Sequence, residues 1–128
     1  MSTIWIVDDD VEMTGAMQLM MQVLFQDSRT FSGAREAAQA LLAGGTPDLI
    51  LLDINMPEVS GLDFLEFVRR RSEWQHLPIV MLSTEAADVT VDQALALGAD
   101  GYITKPVTLE ELERALISAL EKRKKGAL

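Results

Sequence analysis

The chain has 128 residues, a length that fits one domain with an ordinary hydrophobic core. Its formal net charge of −9 argues against general nucleic-acid binding, which depends on lysine and arginine neutralising phosphates. The absence of cysteine excludes disulfides and thiolate sites, and the sequence shows neither a signal peptide nor a membrane-spanning segment. We therefore expect one cytoplasmic domain that contacts neither nucleic acid nor membrane directly.

Short apolar segments alternate along the chain with segments of helical periodicity. Strands are predicted at residues 3–7, 29–31, 49–52, 79–82 and 102–104. Most of them lack polar interruptions, which is typical of strands in a parallel sheet covered on both faces. The weakest candidate is the second, because it is short and largely polar.

Five helices are predicted from apolar stripes and end signals. The first two stripes consist of Met13, Met17, Met20, Met21 and Leu24, and then of Ala34, Ala37, Ala38, Leu41 and Leu42. The third and fourth helices are predicted at residues 62–70 and 87–97. The last begins at a capping box, with Thr108 as N-cap and Glu111 three residues later. Its predicted inward positions are Leu109, Leu112, Leu116, Ala119 and Leu120.

This alternation predicts an α/β fold with a doubly wound, five-stranded parallel sheet. Residues 1–122 would form the domain, and residues 123–128 a basic C-terminal tail or the start of a linker. Ligands of such sheets bind at the carboxyl ends of the strands, so the residues that follow each strand become the candidates for a site.

Charged and polar side chains follow four of the predicted strands. Asp8 and Asp9 follow the first, Asp53 the third, Ser83 the fourth and Lys105 the fifth. Carboxylates a few ångströms apart repel by roughly 4 kcal/mol per pair, and a bound cation relieves that repulsion. Oxygen ligands without histidine or cysteine favour Mg²⁺. A metal, a lysine, a hydroxyl and a nucleophilic carboxylate together indicate phosphoryl transfer.

Four motifs in this order resemble the receiver domain of bacterial two-component response regulators. They are Asp8-Asp9 after the first strand, "DINMPEVSG" around Asp53, "MLST" ending at Thr84, and "DGYITKP" carrying Lys105. The resemblance covers essentially the whole chain and is to a chemotaxis-type single-domain receiver. It implies a flavodoxin-like sheet with strand order 2-1-3-4-5.

The resemblance also implies a role for each site residue. Asp53 would accept a phosphoryl group from a sensor histidine kinase or a phosphotransfer protein. Asp9, Asp53 and the backbone carbonyl of Asn55 would ligate Mg²⁺, with Asp8 contributing through water. Lys105 would pair with the phosphoryl oxygens. Such a chain is a signalling module, not an enzyme, because it catalyses only its own phosphorylation and dephosphorylation.

A conformational switch is implied as well. Ser83 would hydrogen-bond the phosphoryl group, and Tyr102 would move from an outward to an inward rotamer. This would alter the surface of the fourth helix, fifth strand and fifth helix, which signals to a downstream protein target or a linked output domain. Asn55 and Glu85 would tune hydrolysis, giving a phosphorylated state that lasts seconds to minutes. The bond before Pro106 would be cis.

Three positions depart from the pattern of the family. Ser83 stands where many relatives have threonine, so the switch would be less tightly coupled. Val107 stands where phenylalanine is common, and Gly101 stands where the winged-helix branch often has an acid that forms dimer salt bridges.

Three alternatives stay open at the level of sequence. The first is a receiver fragment of a larger response regulator or hybrid kinase, and the second is a degenerate receiver used as a scaffold. The third is a phosphatase of the haloacid dehalogenase type, since Asp8 and Asp10 mimic the paired acids of that family. Glu12 argues against the phosphatase, because that family has threonine or valine there.

Overall fold

The structure is a computed structural model that describes the backbone of residues 3–84 and 88–126. In this part of the chain, five strands alternate with five α-helices, and a short 3₁₀ helix at Ser72–Trp74 precedes the fourth strand. The strands are β1 Thr3–Val7, β2 Asp27–Phe31, β3 Leu49–Asp53, β4 Ile79–Ser83 and β5 Gly101–Thr104. The helices are α1 Val11–Val23, α2 Ala34–Leu42, α3 Gly61–Arg70, α4 Asp88–Ala96 and α5 Leu109–Gly126.

All neighbouring strands pair in parallel, and the sheet has the order β2-β1-β3-β4-β5. The predicted fold class and strand order are therefore confirmed. Val7 of β1 pairs with Leu52 of β3, and Asp53 of β3 pairs with Leu82 of β4. Because every strand runs in the same direction, the carboxyl ends of all five strands meet at one edge of the sheet.

The core consists of two layers, one on each face of the sheet. Strands β3 and β4 are buried along their whole length, which explains their uninterrupted apolar sequences. Residues of the first layer come from the sheet, α1 and α5, and include Ile4, Ile6, Met17, Met21, Leu112 and Leu116. Residues of the second layer come from the sheet, α2, α3 and α4, and include Trp5, Ala37, Leu41, Phe64, Leu65 and Ala94.

The helix ends follow the capping signals in the sequence. Oδ1 of Asp10 accepts hydrogen bonds from the backbone N–H groups of Glu12 and Met13, so Asp10 is the N-cap of α1. Thr108 and Glu111 form the predicted capping box, in which the N–H of Glu111 donates to Oγ1 of Thr108. Gly98, in the loop after α4, adopts a φ of 105°.

Two predicted inward positions are wrong. Leu42 is 57% exposed and Leu109 is 37% exposed. Successive residues of a helix differ by about 100° in direction, so Leu41 and Leu42 cannot both belong to a narrow stripe that faces the core. Leu109 is the first residue of α5, and the first buried residue of that helix is Leu112, one turn later.

Helix α5 continues through Gly126 and crosses the predicted boundary between residues 122 and 123. The division into a domain and a tail or linker stays a prediction. Strand β2 begins two residues earlier than predicted. Its first residues are polar, so the apolar pattern did not indicate them. The fourth predicted helix began at Ala87, which lies outside the described residues, and α4 is described from Asp88. No helix in the described part of the chain has the length and apolarity needed to cross a bilayer.

Candidate functional site

Three strands bring acids and a lysine together at the carboxyl edge of the sheet. Asp8 follows β1 directly, Asp53 ends β3 and Lys105 follows β5. Val7 of β1 pairs with Leu52 of β3, so the residues that follow them, Asp8 and Asp53, lie at the same level. Both of these carboxylates are buried, whereas Asp9 is exposed.

Lys105 is the cation of this cluster. Its Nζ lies 2.8 Å from Oδ2 of Asp8 and 3.4 Å from Oδ1 of Asp53. Burial alone would lower the pKa of Lys105, but its contacts with Asp8 and Asp53 together raise that pKa above the usual value. The lysine therefore stays charged, and its ammonium group contacts both buried carboxylates.

Asp53 is the acid whose protonation is most affected by this arrangement. Its pKa is raised from 3.8 to about 6, chiefly by burial and next by the negative charge of Asp8. The charge of Lys105 and the N–H of Asn55, 3.4 Å from Oδ1 of Asp53, oppose this rise. With a pKa of about 6, Asp53 is mostly ionised at pH 7, although its surroundings disfavour the charged form.

Gly61, the first residue of α3, shapes the loop that follows Asp53. Its N–H donates to the carbonyl of Ile54 at 2.9 Å. A Cβ atom at this position would lie 2.1 Å from the backbone oxygen of Asp53. No role at the site was predicted for Gly61 from the sequence. The available signal was a glycine directly after the helix N-cap, Ser60, where no turn requires one.

The acids fit a divalent ion. Asp8, Asp9 and Asp53 each offer one oxygen atom, and these atoms lie within 4.8 Å of one another. Mg²⁺ binds oxygens at 2.0–2.1 Å, so opposite ligands of one ion lie about 4.2 Å apart. Oδ2 of Asp8 is buried and faces the ammonium group of Lys105 at 2.8 Å. A hard cation matches both this donor set and its excess of negative charge.

The remaining predicted residues lie around this cluster. Ser83 is buried at the end of β4, and its carbonyl accepts a hydrogen bond from the N–H of Lys105 at 2.7 Å. Asn55 is exposed in the loop after β3. Tyr102 is nearly half exposed on β5, beside a groove of about 560 Å³ that α5 also lines. Glu85 lies outside the described residues. The bond before Pro106 is cis, as expected.

The fold and the site together define a flavodoxin-like α/β domain with an acidic cluster and a lysine at the carboxyl edge of its sheet. Residues 4–117 match the family model of the response regulator receiver domain, and the chain belongs to that family. The predicted resemblance is therefore confirmed. Receiver domains are signalling modules that interact with histidine kinases and output targets, and they generally bind Mg²⁺ at an acidic pocket. The phosphatase alternative gains no support.

Curated relatives and solved structures agree with this assignment. The chain is 33% identical over 112 residues to the chemotaxis protein CheY1 of Helicobacter pylori, covering 87% of this chain and 90% of that protein. It is 30% identical over 119 residues to the protein RcaC of Microchaete diplosiphon, where it spans 93% of this chain but only 18% of the relative. The structure of the chemotaxis protein CheY4 of Vibrio cholerae superposes with a TM-score of 0.85 at 31% identity, covering 93% of this chain and 98% of that one.

Proposed function

We propose that this chain is a phosphoacceptor receiver in which Asp53 takes a phosphoryl group from a phosphohistidine. The donor would be a sensor histidine kinase or a phosphotransfer protein. A carboxylate oxygen of Asp53 forms a bond to phosphorus, the phosphorus–nitrogen bond to the donor histidine breaks, and the product is an acyl phosphate. The single observation that supports this most is the buried carboxylate of Asp53, level with Asp8 and 3.4 Å from Nζ of Lys105.

The surroundings of Asp53 suit this reaction. A pKa of about 6 leaves the carboxylate ionised at pH 7 and therefore able to act as a nucleophile. Lys105, already charged and largely buried beside Asp53, would pair with the phosphoryl oxygens. Asp8, Asp9, Asp53 and the carbonyl of Asn55 would hold Mg²⁺, with Asp8 contributing through water. When bound, the ion supplies positive charge that neutralises the acids and the transferred group.

Phosphorylation would then be transmitted to a partner. Ser83 would hydrogen-bond the phosphoryl group, and its buried position at the end of β4 is at the correct edge of the sheet. Tyr102 would turn inward from its present exposed position and alter the surface formed by α4, β5 and α5. The partner that responds to this change would be a downstream protein or a covalently linked output domain. The chain spans 18% of RcaC but 90% of CheY1, so the relatives do not decide between these two arrangements.

The phosphorylated state would be short-lived. Asn55 and Glu85, two residues beyond Asp53 and Ser83 respectively, carry polar side chains that would orient an attacking water. We expect a lifetime of seconds to minutes at neutral pH with Mg²⁺. A phosphorylated Asp53 that persisted for many hours would contradict this part of the proposal.

The test is incubation with Mg²⁺ and a small acyl phosphate, followed by intact-mass measurement. We expect one added phosphoryl group on the native chain, none after Asp53→Asn and none without the metal. Lys105→Ala should still be labelled in part but should lose the change at the α4–β5–α5 surface. Asp63→Asn, which alters an exposed acid of α3, is the matched control and should be labelled normally.

Two results would overturn the proposal. One is a native chain that takes no label from either the acyl phosphate or a phosphorylated histidine kinase. The other is undiminished labelling of the Asp53→Asn chain, which would place the acceptor elsewhere.

A further inference from the structure

Helix α5 carries a row of residues along the side that faces away from the sheet. They follow one another at intervals of four, three, four and three positions, which is the spacing of the contact line between two packed helices. The row consists of Glu110, Arg114, Ile117, Glu121 and Lys124. The first four are exposed, whereas Leu112, Leu116 and Ala119, on the other side of the helix, are buried. We call this row the α5 seam.

The charges of the α5 seam are self-complementary. In chain order they are negative, positive, apolar, negative and positive. A second copy in the antiparallel orientation presents the same series backwards, so Arg114 of each copy lies opposite Glu121 of the other, and Glu110 lies near Lys124. Each contact occurs twice, because such a pair has a two-fold axis. Two parallel copies would instead bring like charges together, which selects the antiparallel arrangement.

The helix dipole explains only part of this series. It favours acids in the first turn and cations in the last turn, which accounts for Glu110 and Lys124. It does not account for Arg114 in the second turn or for Glu121 directly before the basic residues 122–125. Glu110 and Arg114 have the spacing of a pair within one helix, but neither they nor Glu121 form an ion pair in the described part of the chain. These charges are therefore available to a partner.

Ile117 lies at the middle of the α5 seam and is 53% exposed. It also lines a groove of about 230 Å³ between the end of α1 and helix α5, together with Leu24, Leu116 and Leu120. A single exposed apolar side chain is common on protein surfaces. In the antiparallel pair, however, the two Ile117 side chains meet beside the two-fold axis, and the groove gives each of them an apolar surface to contact.

The net charge of the chain does not prevent this contact. The whole chain has a formal charge of −9, but α5 contains four acids and five basic residues. At physiological ionic strength, exposed charges are screened beyond about 8 Å, so the pairs that meet across the seam matter more than the distant acids. One helix from each copy forms a small interface, and interfaces below about 1,200 Å² are typical of weak, transient pairs.

We propose that this chain forms a weak, symmetric dimer in which α5 packs antiparallel against α5 of a second copy. Ile117 forms the apolar centre of the interface, and Arg114 pairs with Glu121 on both sides of it. This inference goes beyond the proposed function, and the contact does not depend on phosphorylation of Asp53.

The test is sedimentation velocity up to millimolar chain concentration in about 0.15 M salt, where the screening length is short. We expect the native chain to dimerise as its concentration rises. Arg114→Glu and Glu121→Arg each convert two attractive contacts into two repulsive ones, so each should weaken dimerisation about tenfold. The double variant with both substitutions places opposite charges together again and should regain the native affinity.

The single variants also separate the α5 seam from net charge. Arg114→Glu makes the chain more negative and Glu121→Arg makes it less negative, so general repulsion would shift dimerisation in opposite directions, whereas the seam predicts a loss for both. Ile117→Ser leaves the charge unchanged and should weaken the dimer about tenfold. The matched control is Glu36→Arg, at an exposed acid of α2 on the other face of the sheet, which should not weaken the dimer.

Three results would overturn the inference. The first is a native chain that stays monomeric at millimolar concentration. The others are a dimer that Glu121→Arg strengthens and a dimer that the double variant does not restore, because the contact would then lie elsewhere. Asp53→Asn should dimerise as the native chain does, so a failure of dimerisation and a failure of phosphorylation are distinguishable.

Discussion

Two largely buried ion pairs occupy opposite edges of the sheet and differ in how well their charges balance. At the amino edge, Nη2 of Arg69 lies 3.1 Å from Oδ2 of Asp100, and the same oxygen accepts the N–H of Ile79 at 2.9 Å. Arg69 also donates to the carbonyls of Gly98 at 2.9 Å and Trp74 at 3.0 Å. This pair links α3, the end of α4 and the start of β4.

The pair at the carboxyl edge is unbalanced. Lys105 is one cation, in contact with Asp8 and Asp53, in a cluster of three carboxylates that also includes Asp9. Removing one partner of a buried, hydrogen-bonded pair is strongly destabilising because the other charge is left unpaired. In a cluster with excess charge, by contrast, a ligand of opposite charge relieves the repulsion. The two edges therefore divide structural and chemical roles within one sheet.

Asp100→Ala is expected to give the largest effect, because it breaks the balanced pair. It leaves the guanidinium of Arg69 buried without its anion and removes the acceptor of Ile79, so we expect a loss of about 3–5 kcal/mol in the free energy of unfolding. Urea denaturation followed by circular dichroism measures it. Glu73→Ala, which breaks the exposed pair with Arg71, is the control and should cost under about 1 kcal/mol. Equal losses would refute the comparison.

Gly61→Ala disturbs the carboxyl edge through the backbone. The added Cβ would lie 2.1 Å from the oxygen of Asp53, and a backbone atom cannot move aside as a flexible side chain can. We expect a loss of about 3 kcal/mol in the free energy of unfolding. The control is Gly15→Ala within α1, where a Cβ meets nothing within 4 Å and should add about 1 kcal/mol through helix propensity. A Gly61→Ala chain as stable as the native one would show that the loop yields easily.

Asp53→Asn should give a smaller effect of the opposite sign. Replacing a buried carboxylate by a neutral amide removes the repulsion with Asp8, and we expect the metal-free chain to gain about 2 kcal/mol at pH 7.5. Asp100→Asn, at the balanced pair, should lose stability. Denaturation of both variants in the presence of a chelator makes the measurement, and a destabilised Asp53→Asn chain would contradict the idea of an unbalanced site.

This gain should depend on pH. The pKa of Asp53 is about 6 in the folded chain and has an ordinary value of 3.8, so the folded state retains the proton over this interval. The stabilisation by the neutral carboxyl is fully present below about pH 4 and is lost as the pH rises through 6. The amide of the Asp53→Asn variant does not titrate, so the advantage of that variant should be greatest above pH 7 and should shrink toward pH 4. Saturating Mg²⁺ at pH 7.5 should also shrink it, by stabilising the native chain alone.

Local sequence signals account for most of the fold. Apolar runs located β1, β3 and β4, and the residues at their ends followed from one property of parallel sheets, the shared carboxyl edge. This is why Asp8, Asp53 and Lys105 were expected to meet although they are far apart in the chain. Leu42 and Leu109 were wrongly predicted to face inward. An apolar stripe indicates which face of a helix is buried, but not how wide that face is or at which residue the sheet begins to cover it.

Interactions between distant residues were not predictable in the same way. In the sequence, Arg69 is a cation at the end of a helix, where it would offset the helix dipole, and no local pattern links it to a distant acid. Its ion-pair partner, Asp100, is 31 residues away and follows a glycine and an alanine in the loop before β5. The role of Gly61 depends equally on the three-dimensional path of the loop, which no spacing rule specifies.

The hydrogen bond from the N–H of Lys105 to the carbonyl of Ser83 has a mechanical consequence. It joins the ends of β4 and β5 by their main chains, so moving the ammonium-bearing residue away from the hydroxyl-bearing residue breaks this hydrogen bond. A force on either side chain is therefore transmitted to both strand ends, one of which leads to α4 and the other to α5.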